Sequence, residues 1–316
     1  TNTPMGRNRL AGSPRRAVIT GIGAISPNGM GREEFWANTR AGRSGVKPIR
    51  LFDPAALTVQ IAGEVSGFSE EAWLTPKERP HVGRVTALAR AAAAEALADA
   101  GLDTAGMTRD QLREIGVIVG SGGGSQAFTE EQYRLVHTGQ QRVCSVYAIP
   151  TSTIGTLASE VSMFFGLRGL SHVVSTGCTS STDALGYALR QIQCGMVDCL
   201  VVGGADAPIA PLIVRGFQLM RIMTQRWNQE PERASRPFSA DRDGFVLAEG
   251  AWFFVVEERS RALARGARIY GELAGYGSTC EAFHRVRLEE CGEEPARAIG
   301  MALDEAGVDP AEVGYV

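Results

Sequence analysis

Residues 170–206 read LSHVVSTGCTSSTDALGYALRQIQCGMVDCLVVGGAD, and this stretch predicts a strand, a helix and a second strand. LSHVVSTG and DCLVVGGAD are apolar runs of strand length. Gly195 suits the end of the helix between them. Strands that alternate with helices indicate a βαβ arrangement whose sheet is covered on both faces. The apolar residues of the helix recur at helical spacing, at Ala184, Leu185, Ala188, Leu189 and Ile192.

The same alternation of apolar strands and helices extends to both sides of this stretch. AVITGIGAIS at 17–26 and GAWFFVVEE at 250–258 read as strands, and IGVIVGSGGGS at 115–125 reads as a buried strand that runs into a glycine loop. VTALARAAAAEALADAG at 85–101 is an alanine-rich helix that ends at Gly101, a residue suited to a left-handed cap. The chain is therefore predicted to be of the α/β class.

Three short segments near the end of the chain echo three near its start. Repeats that keep the same order along a chain indicate a duplicated fold. A second copy that stopped at its third element would expose apolar surface, so we expect the fold to need a continuation or a partner chain. The paired segments are VITGIGAIS at 18–26 with GELAGYGST at 271–279, ALADAGLD at 96–103 with ALDEAGVD at 302–309, and IGVIVG at 115–120 with VGYV at 313–316.

Composition excludes several classes of protein. With 44% hydrophobic and 21% charged residues the chain is globular, and a net charge of -3 gives no overall basic character for nucleic acid or an anionic membrane. Residues 1–15 are polar and interrupted by glycine and proline, so we expect a flexible tail. No apolar run is long enough for a membrane span or a signal core, which favours the cytoplasm. The six cysteines show no metal-like spacing, so we expect free thiols and no metal site.

Several other motifs are better explained by structure than by chemistry. GIGAISPNG at 21–29 lacks the third glycine of a dinucleotide site, and GSGGGS at 120–125 lacks the lysine of a phosphate loop. The acidic residues of RPFSADRDGFVLAEGA at 236–251 alternate with arginine and fit an ion-pair turn better than a calcium loop. His172 lies within an apolar strand and is expected to be a buried structural histidine. No histidine stands out as a base for Cys178.

Cys178 stands between the strand and the helix of the opening stretch. At such a junction, unpaired N–H groups and the positive end of the helix dipole favour a thiolate over a thiol. The same N–H groups can hold an oxyanion as it develops. A lone cysteine in an α/β protein is more often a buried structural thiol, so position alone leaves both alternatives open.

Three motifs carry a resemblance to a known family: STGCTSSTDALGYA at 175–188, GGADAPIAP at 203–211 and ERASRPFSADRDGFVLAEGA at 232–251. They resemble the β-ketoacyl-acyl carrier protein synthases, condensing enzymes of the thiolase-like superfamily. They look more like the ketosynthase alpha subunits of type II polyketide synthases than like the fatty-acid enzyme. The resemblance implies two similar βαβαβαββ halves in a layered α-β-α-β-α arrangement. It places an N-terminal half at 16–265 and the start of an incomplete C-terminal half at 266–316.

The resemblance also implies a reaction. Cys178 would accept an acyl group from an acyl carrier protein as a thioester, with its backbone N–H in the oxyanion hole. Malonyl-carrier would then lose CO₂, and the resulting carbanion would attack that thioester. Phe245 matches a phenylalanine that shapes the malonyl site. No cofactor is expected to be bound, because phosphopantetheine on the carrier delivers the substrates. The two catalytic histidines of the family belong to motifs that would follow Val316, so we expect residues 1–316 alone to be incomplete for condensation.

Further positions concern substrate shape and partners. Gly123 takes the place of a bulkier residue that lines the acyl pocket in fatty-acid enzymes, which predicts a wider tunnel. Arg142, Arg221 and Arg226 match basic positions that are expected to dock the acidic carrier protein. The resemblance also implies a homodimer, or a heterodimer with a chain-length-factor-like homologue.

Alternative functions remain beside this one. The sequence favours decarboxylative condensation in a type II polyketide or polyketide-like pathway, with fatty-acid elongation as the near alternative. A non-catalytic subunit that shapes the acyl tunnel is a different class of function, although such a subunit would lack Cys178. A thiolase that acts on coenzyme A esters without a carrier protein is a further class.

Overall fold

The fold is known from a computed structural model that describes residues 15–316, so residues 1–14 of the expected tail lie outside the described residues. The strands of the described part are β1 (Ala17–Ser26), β2 (Gly29–Met30), β3 (Lys47–Pro48), β4 (Ile61–Ala62), β5 (Ile115–Gly120), β6 (Ser171–Val174), β7 (Cys199–Asp206), β8 (Gly250–Glu258) and β9 (Gly271–Leu273). The α-helices are α1 (Arg32–Arg40), α2 (Arg84–Asp99), α3 (Arg109–Arg113), α4 (Gln126–His137), α5 (Ala148–Ser152), α6 (Thr156–Phe165), α7 (Ser180–Gln193), α8 (Pro211–Leu219), α9 (Arg259–Ala264) and α10 (Glu293–Ala306).

Seven strands form one mixed sheet in the order β2-β1-β8-β7-β5-β6, with β9 also paired to β1. β5 is parallel to both β6 and β7, whereas β8 is antiparallel to β7 and to β1. Because β5, β6 and β7 run in the same direction, their carboxyl ends meet at one edge of the sheet. The loops that follow these three strands are therefore neighbours.

Helices cover both faces of this sheet. On one face α2 and α6 pack over β5, β7 and β8, and on the other face α7 packs over the same strands. The apolar stripe predicted for α7 is confirmed, since Ala184, Ala188 and Ile192 are fully buried. Gly101 has a φ of 68° after the end of α2, as the left-handed cap requires. The predicted α/β class, with apolar strands alternating with covering helices, is confirmed.

The duplication is visible as two copies of one close contact between a glycine-containing segment and a helix. A Cβ atom on Gly23 would lie 2.0 Å from the carbonyl oxygen of Ala92 in α2. A Cβ atom on Gly277 would lie 2.1 Å from the carbonyl oxygen of Ala298 in α10. Both segments thus lie directly on a helix backbone, and only glycine fits at either position.

A hydrogen bond is duplicated together with this contact. The N–H of Ile22 donates to the carboxylate of Asp99 on α2 at 2.9 Å, and the N–H of Tyr276 donates to the carboxylate of Glu305 on α10 at 3.0 Å. The paired segments of the sequence repeat therefore make equivalent contacts, which confirms the duplicated fold. The boundary between 16–265 and 266–316 stays a prediction.

Helix α7 lies between the sheet and the second copy of the repeat. Its buried stripe faces the sheet, while the ring of Tyr276 lies against Gly186, where a Cβ atom would be 2.4 Å from the ring. Arg190 of α7 forms an ion pair with Glu305, with Nη2 at 2.8 Å from Oε2. This central position of α7 agrees with the expected layered arrangement.

The interpretation of His172 as a buried structural histidine is wrong. β6 is the last strand of the sheet, so one of its edges is unpaired in the described chain and His172 is exposed. The imidazole stacks on Tyr187 of α7, with ring centroids 5.9 Å apart. An apolar run alone does not distinguish an edge strand from a central one.

Among residues 15–316, no helix combines the length and the apolar character that crossing a membrane would require.

We predict that Gly23→Ala destabilises the fold by about 1–3 kcal/mol, because the new methyl group must displace the backbone of α2. Gly300→Ala is the matched control: it lies within α10 and its Cβ would meet nothing within 4 Å. Alanine favours the helix there by up to about 1 kcal/mol. Urea unfolding followed by circular dichroism measures both free energies. Equal stability of the two variants would contradict the close contact.

A second prediction concerns the dependence of stability on pH. The hydrogen bond from Arg190 holds the pKa of Glu305 at about 2, below the ordinary value of 4.5. This ion pair therefore contributes its full stabilisation of the fold above the pKa that Glu305 has in the unfolded chain. The contribution is lost as the pH falls from about 4.5 to 2. We expect Glu305→Gln to lower the urea midpoint at pH 7 but not at pH 2. Glu290→Gln, at an exposed position, is the control, and an equal pH profile for both variants would contradict the ion pair.

Candidate active site

The first turn of α7 rests directly on the backbone of the sheet. A Cβ atom on Gly120, the last residue of β5, would lie 2.4 Å from the carbonyl group of Ser180. A Cβ atom on Gly204 of β7 would lie 1.8 Å from Oγ of Ser181. Side chains at these two positions would push the helix away, so the glycines fix where α7 begins.

Cys178 lies in a single 3-10 turn, Gly177–Thr179, that links β6 to α7. The turn is fastened at Ser180: the N–H of Thr176 donates to Ser180 Oγ at 3.0 Å, and this hydroxyl donates to the carbonyl oxygen of Gly177 at 2.5 Å. Gly177 has a φ of 71°, in the left-handed region. The Cys178 side chain is exposed in the described chain, in contrast to a buried structural thiol.

A carboxylate stabilises the other side of this turn. Asp183, in the first turns of α7, accepts hydrogen bonds from the hydroxyls of Thr176, Thr179 and Tyr276, the Thr179 bond being 2.9 Å long. Burial alone would raise the pKa of Asp183, but these hydroxyls hold that pKa below its usual value. Thr176, Asp183 and Tyr276 also line a cavity of about 560 Å³ next to β6. Both copies of the repeat thus contribute to the surroundings of Cys178.

A second carboxylate shapes the glycine loop after β5. Asp206, the last residue of β7, accepts hydrogen bonds at 2.9 Å from the N–H groups of Gly122 and Gly123 and from the hydroxyl of Ser121. A Cβ atom on Gly122 would lie 3.3 Å from the carbonyl oxygen of Gly177. The glycine loop and the cysteine turn are therefore in direct contact.

The other candidate for the substrate site lies on a different segment. Phe245 follows the Arg-Asp-Gly motif and packs edge-on against Phe217 of α8, with ring centroids 5.5 Å apart. Its N–H donates to the carbonyl oxygen of Ile222 at 3.0 Å. Gly123 thus belongs to the glycine loop that contacts the cysteine turn. Phe245 instead contacts α8 and the loop that follows α8.

The three candidate docking arginines lie on two segments. Arg221 and Arg226 follow α8, and Arg142 lies on the turn after α4. All three side chains are exposed. Arg226 is 3.9 Å from the carboxylate of Asp243, so its charge is partly compensated. No contact among the described residues links these three arginines into a single basic patch.

The acidic stretch at 236–251 is the ion-pair turn that its sequence predicts. Asp243 accepts from the hydroxyl of Thr224 at 2.6 Å, Asp241 pairs with Arg236 at 3.3 Å, and the buried carboxylate of Glu249 pairs with Arg84 at 2.8 Å. Within residues 15–316, no group of three or more histidine, cysteine or acidic side chains is arranged to hold a metal ion.

Sequence reasoning missed Asp183, Asp206 and Tyr276. Each had a weak local signal: Asp206 is a polar residue at the end of an apolar strand, and Asp183 lies in the first turns of a helix that follows the candidate nucleophile. Neither signal predicts which groups donate hydrogen bonds to the carboxylate, because donors from distant segments of the chain take part. Tyr276 belongs to the second copy of the repeat, and no sequence pattern around it predicts that it lies close to Cys178.

Comparisons with known proteins show what this chain is similar to. A family model described as beta-ketoacyl synthase, N-terminal domain, matches residues 15–262. The chain is 40% identical over 309 residues to the granaticin polyketide putative beta-ketoacyl synthase 1 of Streptomyces violaceoruber, covering 96% of this chain and 72% of that protein. It is also 40% identical over 310 residues to the 3-oxoacyl-[acyl-carrier-protein] synthase 2 of Rhizobium meliloti, covering 96% of this chain and 73% of that protein.

A solved structure is similar over the same range. It is entitled AntDE:AntF (apo), a type II PKS acyl-carrier protein in complex with its ketosynthase bound to the hexaketide. The TM-score is 0.83 at 31% sequence identity, and the match covers 96% of this chain and 72% of that one.

We predict that iodoacetamide at pH 8 alkylates Cys178 at least roughly 100-fold faster than Cys199. Cys199 is fully buried in β7, and burial raises the pKa of its thiol to about 12, with the nearby carboxylate of Glu257 adding to the effect. Peptide mass spectrometry measures both rates. The same reaction in 6 M guanidinium is the control, because unfolding exposes Cys199. Equal native rates would contradict the described exposure of Cys178.

Proposed function

Because the chain belongs to the β-ketoacyl synthase family, we propose that it is a ketosynthase whose growing acyl chain is held on Cys178. One observation carries the proposal. Cys178 is exposed at the start of a helix whose first turn is fixed on the edge of the sheet. Helix N-termini favour negative charge and offer N–H groups, which suits both a thiolate nucleophile and a developing oxyanion.

The proposed reaction has two bond-forming steps. First, the Cys178 sulfur attacks the thioester carbonyl of an acyl chain on phosphopantetheine, and the pantetheine thiol leaves with the proton that Cys178 gave up. Second, malonyl-carrier loses CO₂, and the resulting carbanion attacks the Cys178 thioester. A carbon–carbon bond forms, the carbon–sulfur bond breaks, and the Cys178 thiolate is regenerated. The product is a β-ketoacyl chain, longer by two carbons, on the carrier protein.

The pathway is proposed to be of the type II polyketide kind. The two relatives described above, each 40% identical to this chain, support a condensing enzyme. One is named a polyketide putative beta-ketoacyl synthase and the other a 3-oxoacyl-[acyl-carrier-protein] synthase. Fatty-acid elongation is therefore the alternative within the same chemistry. The motifs around Cys178 and Asp206 favour the polyketide assignment.

The acyl carrier protein is proposed to be the partner that delivers both substrates, so no further cofactor is required. The similar solved structure holds an acyl-carrier protein in complex with its ketosynthase. Arg142, Arg221 and Arg226 are proposed to meet the acidic carrier, and their exposure is compatible with that role. We place the reaction in the cytoplasm, where such carriers would be available.

A second copy or a homologous subunit is proposed to cover the free edge of β6. A strand at the edge of a sheet presents unpaired N–H and C=O groups, and soluble proteins usually cover such an edge. Apolar side chains on the neighbouring α5 and α6 and the loop before them are also exposed, among them Val146 at 79%, Ile149 at 81% and Met163 at 66%. A large exposed apolar surface of this kind indicates an interface between subunits. The subunit is either identical or a chain-length-factor-like homologue.

The decisive test is acylation of Cys178. We expect Cys178→Ala to reduce acyl transfer from an acyl carrier protein by at least about 1,000-fold, because the attacking sulfur is gone. Cys194→Ala, at an exposed position just after α7, is the matched control and should retain transfer within about twofold. Intact-mass spectrometry of the full-length protein measures the added acyl group.

Two other results would point to different functions. Full elongation by a complex that contains Cys178→Ala would make this chain a non-catalytic partner. Acylation of Cys178 by acyl-coenzyme A together with condensation in the absence of a carrier protein would make it a thiolase.

A further inference from the structure

The glycine loop after β5 forms a wall beside the cysteine turn. Gly122 is against Gly177, the residue before Cys178, and the loop presents three consecutive glycines, 122–124. Its backbone donors are already used, since the N–H groups of Gly122 and Gly123 bind Asp206 and that of Gly124 binds Ser121 Oγ at 2.8 Å. The loop therefore offers a smooth surface with few hydrogen bonds to spare.

Gln126 places an amide on this surface. A Cβ atom on Gly123 would lie 2.7 Å from Gln126 Oε1 and 3.1 Å from its Cδ. The space that a side chain at position 123 would take is thus filled by the Gln126 amide. That Gly123 gives a wider tunnel stays a prediction. Gln126 is the first residue of α4 and is exposed.

The amide of Gln126 is not engaged elsewhere. Among residues 15–316, no hydrogen bond of its Oε1 or Nε2 to another described group is observed, whereas the hydroxyl of Ser121 and the N–H groups of Gly122, Gly123 and Gly124 are paired. A glutamine amide has two N–H donors and one carbonyl acceptor. An unused amide in contact with the loop beside the candidate nucleophile is available to a bound molecule.

We propose that Gln126 determines specificity by favouring acyl chains that carry keto or hydroxyl oxygens over saturated chains. The inference rests on the proposed function, in which the chain is held on Cys178. An oxygenated chain that runs along the glycine wall accepts a hydrogen bond from Gln126 Nε2. A saturated chain covers the amide without offering a partner, and a covered polar group without a partner is costly.

This arrangement acts mainly by rejecting the wrong chain. A site built to bind a polar substrate group discriminates strongly against an analogue that lacks it. A single neutral hydrogen bond at an exposed helix end is worth roughly a tenfold preference. A preference of this kind implies that the substrates of this ketosynthase are poly-β-keto or partly reduced acyl chains.

The experiment compares loading of Cys178 by four thioesters on acyl carrier protein: octanoyl, 3-oxooctanoyl, 5-oxooctanoyl and 7-oxooctanoyl. The full-length protein, assembled with its partner subunit, is tested as wild type and as Gln126→Leu. We expect the wild type to load at least one oxo chain about tenfold faster than octanoyl, and Gln126→Leu to reduce this ratio to about one. Intact-mass spectrometry gives the rates.

Two further variants make the result specific. Gln126→Glu keeps the size of the side chain but removes its N–H donors, so it should lose the preference as Gln126→Leu does. Gln229→Leu makes the same change at an exposed position on another loop and should keep the wild-type ratio.

An unchanged ratio for all oxo chains in both Gln126 variants, with loading intact, would overturn the inference and leave the proposed function standing. Absence of loading by every thioester in the wild type would overturn the proposed function itself, and the specificity inference with it.

Discussion

Direct contact between the first turn of α7 and the backbone of β5 and β7 is the constraint on which the candidate site depends. Gly120 and Gly204 leave no room for a side chain between sheet and helix, so Ser180 and Ser181 lie on the strands themselves. The 3-10 turn that carries Cys178 directly precedes this first turn of the helix. Close packing of α7 on the sheet thus fixes where the Cys178 thiol lies.

The opposite face of α7 is constrained just as closely. Tyr276 lies on Gly186, and Glu305 holds Arg190, so the helix is fixed between the sheet and the second copy of the repeat. Tyr276 also donates to Asp183, one of the groups that stabilise the cysteine turn. The duplicated half therefore contributes to the site through the same helix that it packs against, and the geometry at Cys178 depends on both copies.

Much of this architecture could be predicted from local patterns. Apolar runs gave the strands, helical spacing gave the buried stripe of α7, and three short echoes gave the duplication, because each depends on residues close together in the chain. His172 was misplaced because a strand's position in a sheet depends on pairing between distant segments. Asp206 could not be predicted for the same reason, since its partners on the glycine loop are more than 80 residues away. Family resemblance singled out Cys178, but it could not supply the hydroxyls around Asp183.

The glycine loop separates backbone shape from surface chemistry. Its conformation is held from beneath by the single carboxylate of Asp206, while the group that faces outward comes from the next helix. Residue 126 can therefore change without altering the scaffold that holds the loop. Such a division gives evolution, or an enzyme engineer, a single exchangeable position with which to change the surface beside the cysteine turn while the fold stays as it is.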